Sequence, residues 1–347
     1  MQEALFPDEA PAAAAAPAAA PAAQSARRLT GVQPCAVDAG LQALAAALPP
    51  QLHLGGSSWS YPGWEGLVWD KRYSESLLAR KGLAAYAQHP LLRAVSIDRG
   101  FYKPLTASQY EAYAAQVPAH FRFTVKAPSL VTDALVRSED GRGRQANTAF
   151  LDPALAVQEF IAPALEGLGA KIGALVFQLS PLPAERLARM NEQLRLLEHL
   201  LAALPALRAA APDGVVAVEV RDPEWLRPEF VEVLRAQGAT YCLGLHPKLP
   251  PIAEQLWLLR ALWPGPLVCR WNLHRVHGPY GYEDAEKRYG EFDRVLDPDP
   301  ATHAVLARVI RGTTGAGHKA FVTISNQAEG CAPRTIATLA RTLIGSD

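Results

Sequence analysis

The 347 residues carry 34 Lys+Arg against 34 Asp+Glu, a formal net charge of zero, and 49% of them are hydrophobic. That length and apolar content suit one large α/β domain, while the balanced charge excludes the overall footprint of a strong, sequence-independent grip on nucleic acid and leaves room only for a local basic patch. Cys35, Cys242, Cys269 and Cys331 make no CxxC pair and no run approaches the ~20 apolar residues of a membrane span, so a cytoplasmic protein with reduced thiols and no membrane partner is expected.

Residues 1 to about 50 are dominated by alanine and proline, and their acidic start (Glu3, Asp8, Glu9) lacks the basic region of a secretory signal. This composition predicts a disordered tail over 1–50, with a short helix over Leu41 to Leu48 before Pro49-Pro50, and an ordered domain over 51–345 beginning near Leu52. From there strand-like runs recur: Leu52 to Ser58, Ala94 to Asp98, Phe121 to Lys126, Gly173 to Leu179, Val215 to Arg221, Thr240 to His246, Leu267 to Trp271 and Ala320 to Ser325.

Amphipathic helical stretches separate the runs. The clearest is the stripe Leu187, Met190, Leu194, Leu197, Leu201, Leu204 at steps of three and four. Asp222-Pro223-Glu224 reads as an N-cap, a proline at the first helical position and an acidic first turn. Strand then helix, eight times over, predicts a single-domain α/β fold of the (β/α)₈ TIM-barrel type. An open doubly wound sheet is the alternative.

Within the runs, period-two parity separates an aliphatic face from a polar one. In Phe121 to Lys126 the first face is Phe121, Phe123, Val125 and the second Arg122, Thr124, Lys126. If the large apolar residues face the helices, the lumen receives His53, Ser57, Ser96, Asp98, Arg122, Thr124, Lys126, Gln178, Glu219, Arg221, His246 and Arg270. The expectation is a polar, net cationic interior in place of the usual layers of Val, Ile and Leu.

Several strings carry a family resemblance: Gly55-Gly56-Ser57-Ser58-Trp59-Ser60-Tyr61-Pro62-Gly63-Trp64, Phe101-Tyr102, Phe123-Thr124-Val125-Lys126-Ala127-Pro128, Val176-Phe177-Gln178-Leu179 and Glu219-Val220-Arg221-Asp222-Pro223-Glu224-Trp225. In this order, from about Leu52 to Ile344, the chain resembles the YecE-like family, domain of unknown function 72. The resemblance implies a barrel related in shape to xylose-isomerase-like and endonuclease-IV-like folds, and no established activity. The chain departs from the family pattern at Ser96 and Asp98, where Glu-x-Asn is usual, at Asn272-Leu273, where a His-Gly pair is usual and the nearest copy is His277-Gly278, and at Ser325-Asn326, where an Asn pair is usual.

Barrel enzymes place reactive groups at the C-terminal ends of their strands. There Glu219 is the candidate acid or base, assisted by Asp98. Lys126, Arg221 and Arg270 suit a carboxylate or phosphate, with Gln178, His246 and Asn326 as further ligand contacts. Trp59, Tyr61, Trp64, Phe101 and Tyr102 would form an apolar wall for a sugar ring or base, although such loops also simply pack against the rim. The alternative is a structural ion-pair network. No cofactor is expected; a divalent metal on Asp98, Glu219 and His246 lacks a supporting spacing motif. Gly141 to Ala146 matches GxGxxA without the strand-to-helix context, and Arg137 to Asn147, with Arg142 and Arg144, reads as a flexible basic loop. These features together predict an enzyme of hydrolytic or isomerising acid/base chemistry on a small anionic sugar- or nucleotide-like compound. The alternative is a non-catalytic binding protein, for which nucleic acid is a conceivable partner. Oligomeric state is not legible.

Overall fold

The alternating runs become the strands β1 (Leu52–Gly56), β2 (Ala94–Ile97), β3 (Arg122–Lys126), β4 (Ile172–Gln178), β5 (Val215–Glu219), β6 (Thr240–Leu245), β7 (Leu267–Trp271) and β8 (Ala320–Ile324). In the computed structural model, which describes residues 31–137 and 143–345, these strands close into a parallel barrel with helices outside. Strand β1 pairs with β2 on one side and β8 on the other, as the (β/α)₈ reading expects.

Closure depends on a narrow seam. Only Gly55–Ala94 and Gly56–Val95 pair between β1 and β2, and a Cβ on Gly55 would lie 1.8 Å from the Ala94 carbonyl oxygen. The absent side chain lets the two backbones approach. The buried Tyr86 hydroxyl bridges the same seam, accepting from Gly56 N–H at 2.7 Å and donating to Ala94 O at 2.9 Å.

Phe121, Phe123, Val125, Val218, Val220 and Leu243 point outward into the shell between strands and helices. The expectation of a wholly polar interior is corrected by the barrel's middle. There Ala174, Val176, Ala217, Cys242, Val268 and Phe321 form a separate apolar cluster, flanked by Val215. Below it, Arg122 pairs with Asp213 at 2.7 Å, and His53 stacks on Phe321 with ring centroids 5.3 Å apart. Arg122 and His53 therefore belong to the floor and not the mouth, because parity assigns a side chain to a face of a strand but not to a height along it.

Three further expectations shift. The packed chain begins before Leu52: the helix Ala39–Ala47 forms where a short one was expected, capped by Asp38. Val32, Leu44 and Leu48 are buried in the main core, and Arg93 donates to Ala45 O at 2.7 Å. Of the 1–50 tail, residues 1–30 lie outside the described residues.

The Asp222-Pro223-Glu224 helix start is instead a single 3₁₀ turn, Pro223–Trp225. Arg227, forced extended by the following proline, precedes the true helix Pro228–Ala236. Part of the basic loop is an antiparallel ladder of Leu135–Arg137 with Gly143–Ala146. Its Arg142 lies outside the described residues. The strand at Gly143–Ala146 leaves no helix start for a dinucleotide fingerprint.

Candidate functional site

At the C-terminal ends of β4, β5 and β7, parity and register bring three polar side chains together. Gln178 is level with Glu219 across β4 and β5, and Gly244 of β6 is level with Arg270 of β7. The glycine makes room, since a Cβ there would meet Glu219 Cγ at 3.4 Å. Glu219 is completely buried. Its Oε2 accepts from Arg270 Nη1 at 2.7 Å, and its Oε1 pairs with Arg221 Nη2 at 2.8 Å and accepts from Asn272 Nδ2 at 3.0 Å. The Cys242 thiol below it faces Oε2 at 3.9 Å.

Arg270 reaches in two directions. Its Nη2 pairs with Asp98 Oδ2 at 2.6 Å while Nη1 holds Glu219, and the Gln178 carbonyl oxygen receives both Arg221 Nη2 at 2.9 Å and Arg270 Nη1 at 3.2 Å. Asp98, its side chain 36% exposed, also accepts from Ser96 Oγ at 2.5 Å. Ser96 and Asp98 thus together hold a carboxylate that anchors Arg270.

The charges set each other's protonation. Burial alone would raise the Glu219 pKa, but Arg270, Arg221 and Lys126 outweigh it and hold it at about 2. Asp98 and Glu219 keep the Arg270 guanidinium above its ordinary value despite burial. His246 is held neutral, at about 3, by burial and by Arg221, and its Nδ1 accepts from Lys248 N–H at 3.1 Å.

Lys126 is the exception in the cluster. Its Nζ sits 3.6 Å from the centroid of the Phe101 ring, and among the described residues no carboxylate oxygen lies within 4 Å of it. Burial, reinforced by Arg270 and Arg221 and opposed by Asp98 and Glu219, lowers its pKa to about 7.

The aromatic residues divide. Phe101 underlies Lys126 and meets Tyr102 edge-on. Tyr102 is 85% exposed, and both line a cavity of about 330 Å³ with Pro104, Pro128 and Leu130. Tyr61 packs on Trp64 and Phe292, and burial raises its hydroxyl to about 12. Trp64 is core, stacked on Trp69 and Tyr86. Trp59 is buried against Tyr113.

Asn326 is completely buried, and its carbonyl oxygen accepts from Trp64 Nε1 and from Ala332 N–H at the start of the last helix. The structure therefore gathers Glu219, Asp98, Lys126, Arg221, Arg270, Gln178 and Phe101, and places Trp59, Trp64 and Asn326 in the supporting rim. Asn272 was missed as a site residue. The same parity, carried two positions past Arg270, would have found it.

Among the described residues no three His, Cys, Asp or Glu side chains converge to hold a metal ion. The Arg270 guanidinium stands between Asp98 and Glu219, which does not fit a cation there.

The family model "Protein of unknown function DUF72" matches residues 53–346. The chain belongs to the DUF72 family. Its structure is similar to two crystal structures of a DUF72 family protein from Enterococcus faecalis V583. One has TM-score 0.55, 19% identity and coverage of 85% of this chain and 96% of the other. The second has TM-score 0.51, 18% identity and coverage of 85% and 98%. A DUF72 family protein from Thermotoga maritima MSB8 aligns with TM-score 0.49 at 17% identity, over 85% of this chain and 99% of that one. At these identities the likeness concerns the fold. A search of the curated proteins found no match. No helix among the described residues is long and apolar enough to cross a membrane.

Proposed function

We propose that the C-terminal mouth of this DUF72 barrel binds a small anionic, sugar- or nucleotide-like compound and carries out proton-transfer chemistry on it, hydrolytic or isomerising. The observation that carries the reading is the unmatched Lys126 amine beside two carboxylates that are already paired with arginines. An anionic ligand supplies the missing counter-charge. Glu219, ionised and enclosed, acts as the fixed counter-ion of Arg221 and Arg270, while Lys126 and the partly exposed Asp98 are the groups able to exchange protons with a ligand. The unpaired state of Cys35, Cys242, Cys269 and Cys331 fits a cytoplasmic setting.

A non-catalytic role, with nucleic acid stacking on Tyr102 and Tyr280, is the second reading, favoured by their 85% and 80% exposure on loops of this same face. Thermal unfolding with added phosphate or ribose 5-phosphate separates the two. Ligand at ten times its Kd stabilises by about 1.4 kcal/mol, a rise of a few degrees in a domain of this size. That rise should be absent with ribose and lost in Lys126→Met. A flat response to every phosphate compound, together with salt-sensitive oligonucleotide binding, would overturn the small-ligand reading.

A further inference from the structure

We infer that Lys126 is an imine-forming lysine, and that the ligand of the mouth is a small aldehyde or ketone carrying a carboxylate or phosphate. This inference rests on the anion site proposed above and names the substrate class for it.

The geometry is that of a nucleophilic amine. Lys126 ends β3 at the barrel mouth, and its nitrogen lies over an aromatic face without a carboxylate partner among the described residues. An ordinary surface lysine has its amine fully hydrated and protonated. Here desolvation of the half-buried side chain, and after it the cations Arg270 and Arg221, favour the neutral amine against the opposing pull of Asp98 and Glu219, the arrangement that activates a lysine toward carbonyl carbon. Both nearby carboxylates are engaged by guanidinium groups, so neither neutralises the amine by pairing with it directly. The Phe101 ring beneath the amine also borders a cavity of about 330 Å³ lined by Tyr102, Pro104, Pro128, Leu130 and Asp133, and Lys126 itself is not part of that lining.

The step balances without a redox partner. The neutral amine adds to the carbonyl carbon, forming the C–N bond while the C=O π pair moves to oxygen. Oxygen takes up a proton and nitrogen releases one to solvent. The carbinolamine hydroxyl then takes a second proton and leaves as water, while the nitrogen lone pair completes C=N. The product is a protonated imine, a cation that Asp98 and the ligand's own anionic group both stabilise. Such an imine acidifies the adjacent C–H, which connects it to isomerising chemistry.

Borohydride trapping tests the inference. The full chain is incubated at neutral pH with pyruvate, with dihydroxyacetone phosphate, or with uncharged dihydroxyacetone, then reduced and mapped by mass spectrometry. At neutral pH an amine with a pKa of about 7 has ~10³ times the neutral fraction of an ordinary lysine. Labelling of Lys126 by an anionic carbonyl compound should therefore exceed that of exposed Lys103 ~10-fold or more, and its rate should rise with a midpoint near 7.

Lys126→Arg, which keeps the charge, should abolish the adduct, and Lys103→Arg should not. Equal labelling of Lys126 and Lys103, or none at Lys126, overturns the inference. If phosphate still raises the melting temperature in that case, the anion site stands and only the imine falls. If uncharged dihydroxyacetone labels Lys126 as well as its phosphate does, and phosphate does not compete, the lysine chemistry stands and the anion reading falls.

Discussion

Glu219 illustrates how one side chain changes meaning when its neighbours are known. A lone carboxylate in a barrel is a natural candidate for a general base, but two guanidinium groups at 2.7 and 2.8 Å hold this one ionised, and a carboxylate whose pKa is held at about 2 is a poor base at neutral pH. Removing one partner of a buried pair leaves the others uncompensated, at a cost of roughly 3–5 kcal/mol. Glu219→Gln should therefore lower the unfolding free energy measured by urea titration by that amount, and with it the midpoint, because Arg221 and Arg270 would face each other with Asp98 alone. Unfolding at the wild-type midpoint with turnover lost would return Glu219 to the role of acid or base.

At the scale of strands and helices, the repeating pattern was legible because each strand had to bury an aliphatic face under a helix, and Val216, Val218 and Val220 or Phe121, Phe123 and Val125 can do that in one register only. The top of the lumen was legible for the same reason. The apolar middle was not, since Ala174, Val176 and Ala217 are small residues that parity places inside without indicating that Phe321 fills the space between them. Nor could the pairing of Arg270 with both Asp98 and Glu219 be read from three separate strands.

The seam between β1 and β2 was hidden as well. Tyr86 comes from a helix between them, and its hydroxyl satisfies a donor and an acceptor of the two strands. Tyr86→Phe strands both groups in a buried site and should destabilise by about 1–3 kcal/mol, with hydrogen exchange accelerated first at Gly56. Unchanged protection at Gly56 would show that the ladder closes without the tyrosine.

For the whole molecule, acid sensitivity follows from three buried histidines at different levels of the structure. His53 on the floor and His89 near β2 are lowered by burial to about 4, with Arg122 also opposing protonation of His53, and His246 in the mouth is lowered to about 3. In each case the unfolded chain takes up its proton near 6.5 while the folded chain resists. The histidine contribution to stability is therefore complete above pH 6.5, falls as pH drops through the window from about 6.5 to 4, and levels only below the folded values. At pH 4 the loss is on the order of 3 kcal/mol for His53 and for His89.

Glu219 acts later, as its depressed value removes stability between its ordinary range near 4.5 and about 2. The melting temperature should thus decline from pH 6.5 downward, well before carboxylates titrate, and His53→Phe should flatten part of that slope by removing a group that must be charged only in the unfolded chain. A melting temperature constant between pH 7 and 5 would show that these imidazoles protonate equally in both states, and would contradict their burial between the barrel's charged floor and its mouth.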